Sequence, residues 1–148
     1  MGKYVTVALG AAAMVFGAWA DADVKARWFN GPADWESGPH TLDFRVGGRE
    51  HGSGGPPGGW VSTYDAVYMD IVQDERIITA YEMHLDGTRI SVSLATVELR
   101  PEGAGTHLTF TEQGAYFAGF DDVAGREQGT RDLIDALEAE LRRQLATA

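Results

Sequence analysis

Cysteine is absent from the 148-residue chain, which excludes disulfides, thiolate chemistry and zinc sites built on sulfur. Basic residues are scarce: 12 Lys and Arg stand against 22 Asp and Glu, a formal charge of −10. That balance argues against nucleic acid and anionic membranes as partners, because both call for a basic footprint. The apolar opening, Met1 to Ala20, is too short and too rich in Gly and Ala to span a membrane. His40, His51, His84 and His107 show neither HxxxH nor HxH spacing, so no metal site is expected. There is no Gly-x-Ser-x-Gly nucleophile motif, the glycine-rich stretch lacks the Gly-Lys-Ser/Thr of a phosphate cradle, and no cofactor is implied.

What is present is an ordinary globular composition, 44% hydrophobic and 23% charged, in a chain long enough for one domain over 1–148 with an unaided core. The most regular stretch is the last, Val123 to Leu145. Thr130, Leu133, Ile134, Leu137, Leu141 and Leu145 recur at steps of three and four, one stripe of an α-helix. Glu127, Arg131, Asp132, Asp135, Glu138, Arg142 and Arg143 fill the opposite face, with Glu127–Arg131 and Glu138–Arg142 in the favourable i,i+4 order. Such a helix is about 34 Å long, enough to cross a small domain.

Almost everything before it reads as strand. Tyr4 to Leu9 is a short β-rich run, and Ala11 to Ala20 a helix with Val15, Phe16 and Trp19 on one face. Asp21 to Asp23 caps a second short helix, Val24 to Phe29, ended by Asn30-Gly31-Pro32. Thr41 to Val46 is a strand candidate with Asp43 and Arg45 on a polar face. Residues 47–59 hold seven glycines and two prolines in thirteen positions and read as a long loop. Strands follow at Trp60–Ile71, Arg76–Leu85, Arg89–Leu99 (Ile90, Val92 and Leu94 alternating) and Thr106–Gln113. They are joined by Gln73–Glu75, Asp86-Gly87 and Pro101–Gly105, short turns that predict an antiparallel meander. On composition alone the opening also imitates a secretory leader, with Ala18-Trp19-Ala20 as a cleavage site.

Several segments together resemble a known family. Phe16-Gly-Ala-Trp-Ala-Asp21 leading to Ala26-Arg-Trp28 and Gly31-Pro32 is similar to the helix-turn-helix opening of the Bet v 1-like (START/SRPBCC) superfamily. The subgroup is the one named for the C-terminal domain of the activator of Hsp90 ATPase. Asp43 to Gly48 resembles its second strand and turn, Asp70 to Ile77 its central hairpin, and Val97 to Thr109 its last hairpin. The resemblance implies an α+β helix-grip fold, a curved antiparallel sheet around the C-terminal helix, with an apolar cavity between them in many members. It places Phe16 and Trp19 in the folded domain, against a cleaved leader, and implies a cytoplasmic protein. Members bind lipids, polyketides or hormones, a few catalyse cyclisation or hydrolysis, and one branch is a co-chaperone module.

The candidate residues follow from strand alternation. Leu108, Phe110 and Glu112 share a face, so Glu112 comes toward the cavity if the two apolar residues look inward. Desolvation there raises a carboxyl pKa unless a cation or donors meet it, which suits a general acid/base or a ligand anchor. Glu82 and His84 share one face of their strand, Tyr81 and Met83 the other, and the pattern leaves open which is inward. Facing in, Glu82 and His84 would join Glu112 as an acid/base set; facing out, they are a surface pair. Trp28, Phe29, Trp35 and Trp60, with Tyr116, Phe117 and Phe120, populate the expected mouth, and the connector 115–120 suits a lid or lining. Gly125 and Gly129 leave room at the start of the long helix, and Leu133 and Leu137 form its cavity wall. These features favour a small apolar or aromatic ligand and, as alternatives, a cyclase/hydrolase-type enzyme or a chaperone-related module. Exposed sheet edges favour a homodimer.

Overall fold

The computed structural model describes residues 2–8, 10–120 and 122–147. In chain order the elements are β1 (Gly2–Ala8), α1 (Ala12–Ala20), α2 (Ala22–Trp28), β2 (Glu36–Ser37), β3 (Thr41–Leu42) and β4 (Arg49–Gly55). Then come β5 (Ser62–Val72), β6 (Arg76–Leu85), β7 (Thr88–Glu102), β8 (Gly105–Tyr116) and α3 (Val123–Ala146). The strands form one open antiparallel sheet in the order β1-β8-β7-β6-β5-β4-β2, with β3 also on β4. β5 to β8 are the meander the short turns predict. Asp86 and Gly87, at φ 49° and 85°, make the left-handed β6–β7 turn.

Capping fixes where the helices begin. The Asp21 carboxylate accepts from the N–H groups of Asp23 and Val24, at 2.9 and 3.1 Å, starting α2. Asp122 accepts from the Gly125 N–H at 3.0 Å, starting α3. The core lies between the helices and one sheet face: Val15, Phe16, Trp19 and Trp28 from α1 and α2 meet Tyr68, Ile77, Val97, Leu99 and Leu108 from the sheet. Leu137 and Leu141 of α3 are fully buried among them. The α3 stripe does not stay buried to its end, since Leu145 is 44% exposed.

A buried ion pair ties α2 to β4. Lys25 Nζ lies 2.6 Å from Glu50 Oε1, with both side chains almost wholly out of solvent. The Tyr68 hydroxyl donates to the same oxygen at 2.6 Å, and His40 Nε2 lies 2.7 Å from Oε2. Burial pushes the Lys25 ammonium below the usual lysine range, partly offset by Glu50. Burial would raise the Glu50 carboxyl, but Lys25, Tyr68 and His40 outweigh it and hold it below the usual range.

Two local expectations are corrected. The strand expected over Thr41–Val46 stops at Leu42: backbone bonds from Arg45 to Asp43 and from Gly48 to Arg45 curl the next residues into a turn through Gly47, at φ 83°. The expected loop 47–59 contains a strand, β4, paired with β5 from Arg49↔Val67 to Gly54↔Ser62. Glycine belongs there because other chain comes close: a Cβ on Gly54 would stand 3.2 Å from the Glu36 carbonyl and 3.7 Å from the Trp35 ring. The loop itself begins at Pro56, closed by the Gly59 N–H to the Pro56 carbonyl. In β7, where the sequence shows alternation without fixing the inward face, the buried side is the one opposite Val92 and Leu94. Ser91, Ser93, Ala95, Val97 and Leu99 are buried, while Val92 and Leu94 are exposed on the outer face.

Candidate functional site

The phase of β7 creates the site. Ser93 and Ala95, small residues on the inward face, pair with Tyr81 of β6 and Glu112 of β8 and leave room for those two side chains to meet, while Ser91 lies further along β7 between Met83 and Tyr116. Tyr81 donates to Glu112 Oε2 at 2.6 Å. The first turns of α3 reach down onto this group. Arg126 donates through Nη1 to Ser91 Oγ at 2.9 Å and through Nη2 to the Tyr81 hydroxyl at 3.5 Å. Thr130, one turn on, sets its Oγ1 3.5 Å from Glu112 Oε1. The Arg126 guanidinium also lies 5.1 Å over the Tyr116 ring.

Aromatic rings carry this cluster toward α2. The Tyr64 ring packs 4.9 Å from Tyr81 and 5.1 Å from Phe29. Burial raises the Tyr64 phenol well above its ordinary pKa, and the charges of Glu50 and Glu112 act in the same direction. Burial likewise raises the Tyr81 phenol, with the Glu112 charge and hydrogen bond adding to it and Arg126 offsetting only part. Both hydroxyls therefore keep their protons at neutral pH, as donors rather than bases. Across the strand from Tyr81, and near enough to lower its phenol pKa slightly, the Ser93 hydroxyl is buried without a well-formed hydrogen bond among the described residues. Its cross-strand neighbour is Gly114, where a Cβ would stand 2.8 Å from Ser93 Oγ.

The cluster borders an open cleft of about 690 Å³ at the N-terminal end of α3, lined by Trp35, Trp60, Ile90, Phe120, Asp122 and Arg126, with Gly119 and Gly125 between them. Trp35 and Trp60 form one wall, their rings edge to face at 4.9 Å. The other wall is the connector at Phe120 and the first turn of α3. A Cβ on Gly125 would collide with the Asp122 carboxylate that caps the helix, so glycine here serves the tight cap.

The expected site residues separate into three groups. Trp60 and Phe120 line the cleft, Tyr81 and Glu112 join it only through the hydrogen bond from the cleft-lining Arg126 to Tyr81, and Tyr116 underlies Arg126. Trp28 is 3% exposed in the core, donating from its indole to the Ala18 carbonyl, and Leu137 is fully buried. Leu133 packs at the core's edge, Phe110 against Tyr4, and Phe117 lies 5.3 Å from the Arg89 guanidinium. Gly129 is exposed, with nothing where its Cβ would be. Glu82 and His84 face outward: Glu82 pairs with Arg89 at 3.3 Å, and His84 lies 3.9 Å from Asp65. Tyr81 takes the inward face, so His84 stands on the other side of the sheet from Glu112. Among the described residues no group of three His, Cys, Asp or Glu side chains is arranged to hold a metal ion. No helix of the described residues is long and apolar enough to cross a membrane.

Trp35, expected near the mouth, lines the cleft, whereas Arg126, Ser91, Ser93, Tyr64 and Ile90 were outside the expected set. The serines carried a signal, since Ser91 and Ser93 continue the phase of Ala95, Val97 and Leu99. Arg126 carried none that separates it from the other charged residues of the helix.

The fold and cleft together define a helix-grip domain, an open antiparallel sheet holding a long C-terminal helix. The chain belongs to the family of activator of Hsp90 ATPase homolog 1-like proteins, whose family model matches residues 11–142. Among solved structures, a protein from Rhizobium leguminosarum is 41% identical with a TM-score of 0.91, the match covering 96% of this chain and 93% of that one. One from Rhizobium loti is 42% identical with a TM-score of 0.86, covering 94% of each chain. An AHSA1-like protein from Aeromonas hydrophila shares the fold at 21% identity and a TM-score of 0.73, covering 97% of this chain and 94% of that one. None of the curated proteins matches.

Proposed function

We propose that the protein binds a small molecule with an apolar or aromatic body in the cleft between Trp35/Trp60 and the start of α3. The observation that carries this reading is the cleft itself: about 690 Å³ with aromatic walls and, among its lining residues, Arg126, which hydrogen-bonds on to Tyr81 and through it to Glu112. Ligand pockets are of this kind, mostly apolar with a few polar groups that fix orientation. The test is titration with N-phenyl-1-naphthylamine, a neutral aromatic probe that fluoresces when shielded from water. Saturable one-to-one binding, weakened several-fold by Trp60→Ala, is expected. A wild-type protein that never saturates would sink the proposal.

The Tyr81–Glu112 contact supports a second reading, an enzyme of the cyclase or hydrolase kind. In it Glu112 handles a proton and Tyr81 positions the carboxyl by hydrogen bonding. Glu112→Gln separates the two readings, because a binder keeps its probe affinity and an enzyme loses turnover of any substrate found.

A further inference from the structure

We infer that the ligand carries an acidic group, a carboxylate, that pairs with Arg126 at the inner end of the cleft. This rests on the binding reading above and adds to it the charge of the ligand.

Burial and pairing single this arginine out. Arg126 is half-buried, whereas every other arginine of the chain is exposed. Exposed Arg27, Arg45, Arg76, Arg89 and Arg143 each hold a carboxylate within ion-pair distance. The half-buried one meets only neutral groups among the described residues, the hydroxyls of Ser91 and Tyr81 and the Tyr116 ring. Removing a guanidinium from water without an opposing charge is costly, so its position calls for an anion that arrives later.

The geometry leaves room for one. Arg126 uses one N–H of each terminal nitrogen on Ser91 and Tyr81, leaving three of the five guanidinium N–H groups without a protein acceptor among the described residues. Glu112 is reached only through the Tyr81 hydroxyl, which donates to Glu112 while accepting from Arg126, so the relay does not occupy the cleft side. Among the described cleft-lining residues Asp122 is the one carboxylate, and it is held by the Gly125 N–H at the helix cap. A planar carboxylate matches the fork of N–H donors, and Trp35, Trp60 and Phe120 would enclose the apolar remainder.

The experiment is displacement of N-phenyl-1-naphthylamine by two shape-matched competitors, 2-naphthoate and neutral 2-naphthamide. Wild-type protein is expected to release the probe at about tenfold or more lower concentration of naphthoate than of naphthamide, against the repulsion of its own net negative charge. In Arg126→Gln that preference disappears, so that naphthoate and naphthamide release the probe at concentrations within about twofold of each other. Arg126→Lys keeps part of it, and Arg131→Gln, on the same helix but outside the cleft, keeps all of it. Equal displacement by the two competitors in wild type overturns the inference and leaves the binding reading standing, and it needs no variant to fold. Absence of saturable probe binding overturns both. A preference that survives in Arg126→Gln overturns the assignment to Arg126.

Discussion

The Tyr81 hydroxyl and Glu112 Oε2, from strands separated only by β7, stand 2.6 Å apart across the concave face. Neither side chain could reach the other if β7 carried large residues at 93 and 95, the positions that pair with Tyr81 and Glu112. Tyr81→Phe removes the donor from Glu112 and an acceptor from Arg126 together. Its expected cost is about 1–2 kcal/mol, read from the midpoint of urea unfolding at unchanged slope. An unchanged midpoint would mean that the two groups do not meet in solution.

The Lys25–Glu50 pair behaves differently, because each partner left alone is a buried charge. Lys25→Met or Glu50→Gln alone is expected to destabilise by roughly 3–5 kcal/mol, and the double substitution by clearly less than their sum. A double-mutant cycle by chemical denaturation measures the coupling. Strict additivity would contradict the contact.

Ser93 should respond in the opposite sense. Its hydroxyl is buried without a well-formed hydrogen bond among the described residues, so Ser93→Ala removes a group that folding desolvates with little compensation. The change is expected to be neutral or stabilising by up to about 1 kcal/mol, visible as an equal or higher melting temperature. A marked loss would show that the hydroxyl has a partner in solution.

Acid stability should trace Glu140. Hydrogen bonds from Arg143, then Gln144, and the charges of Arg143 and Arg27 outweigh burial and lower its carboxyl from 4.5 to about 2. The unfolded chain therefore binds this proton first as pH falls, so the contribution is complete above pH 4.5 and is lost progressively toward pH 2. Melting temperatures of wild type and Glu140→Gln should converge across that window. A constant difference from pH 7 to 2 would exclude the linkage.

How much of this was legible in the chain depended on whether local pattern and tertiary demand agreed. α3 was readable because its period of apolar residues coincides with a cap at Asp122, and β6 because turns flank it on both sides. β4 was not, because its glycines speak against a strand when taken alone and make sense only beside Trp35 and β2. The phase of β7 was lost for a related reason. Ser91 and Ser93 occupy inward positions that a core strand would give to apolar residues, and the register shift at Met83/His84 obscures the pattern where β7 begins. Glu112 could be named from alternation and Trp60 and Phe120 from chain position, whereas alternation left open whether Tyr81 or His84 faces in. Arg126 could not, since one charge among many on a long helix says nothing until the serines opposite it are placed.

The pairing of β1 with β8 sets Gly2 opposite Glu112 and Ala8 opposite Thr106. One edge of the sheet therefore forms only when the chain closes a loop spanning most of its length. On the ribosome β5, β6 and β7 can zip as each hairpin emerges, but β1 waits unpaired until β8 is made. The concave face waits longer still for Leu137 and Leu141. Contacts of such high sequence separation slow folding, and a nascent chain that pauses before α3 presents a bare apolar sheet face prone to aggregate.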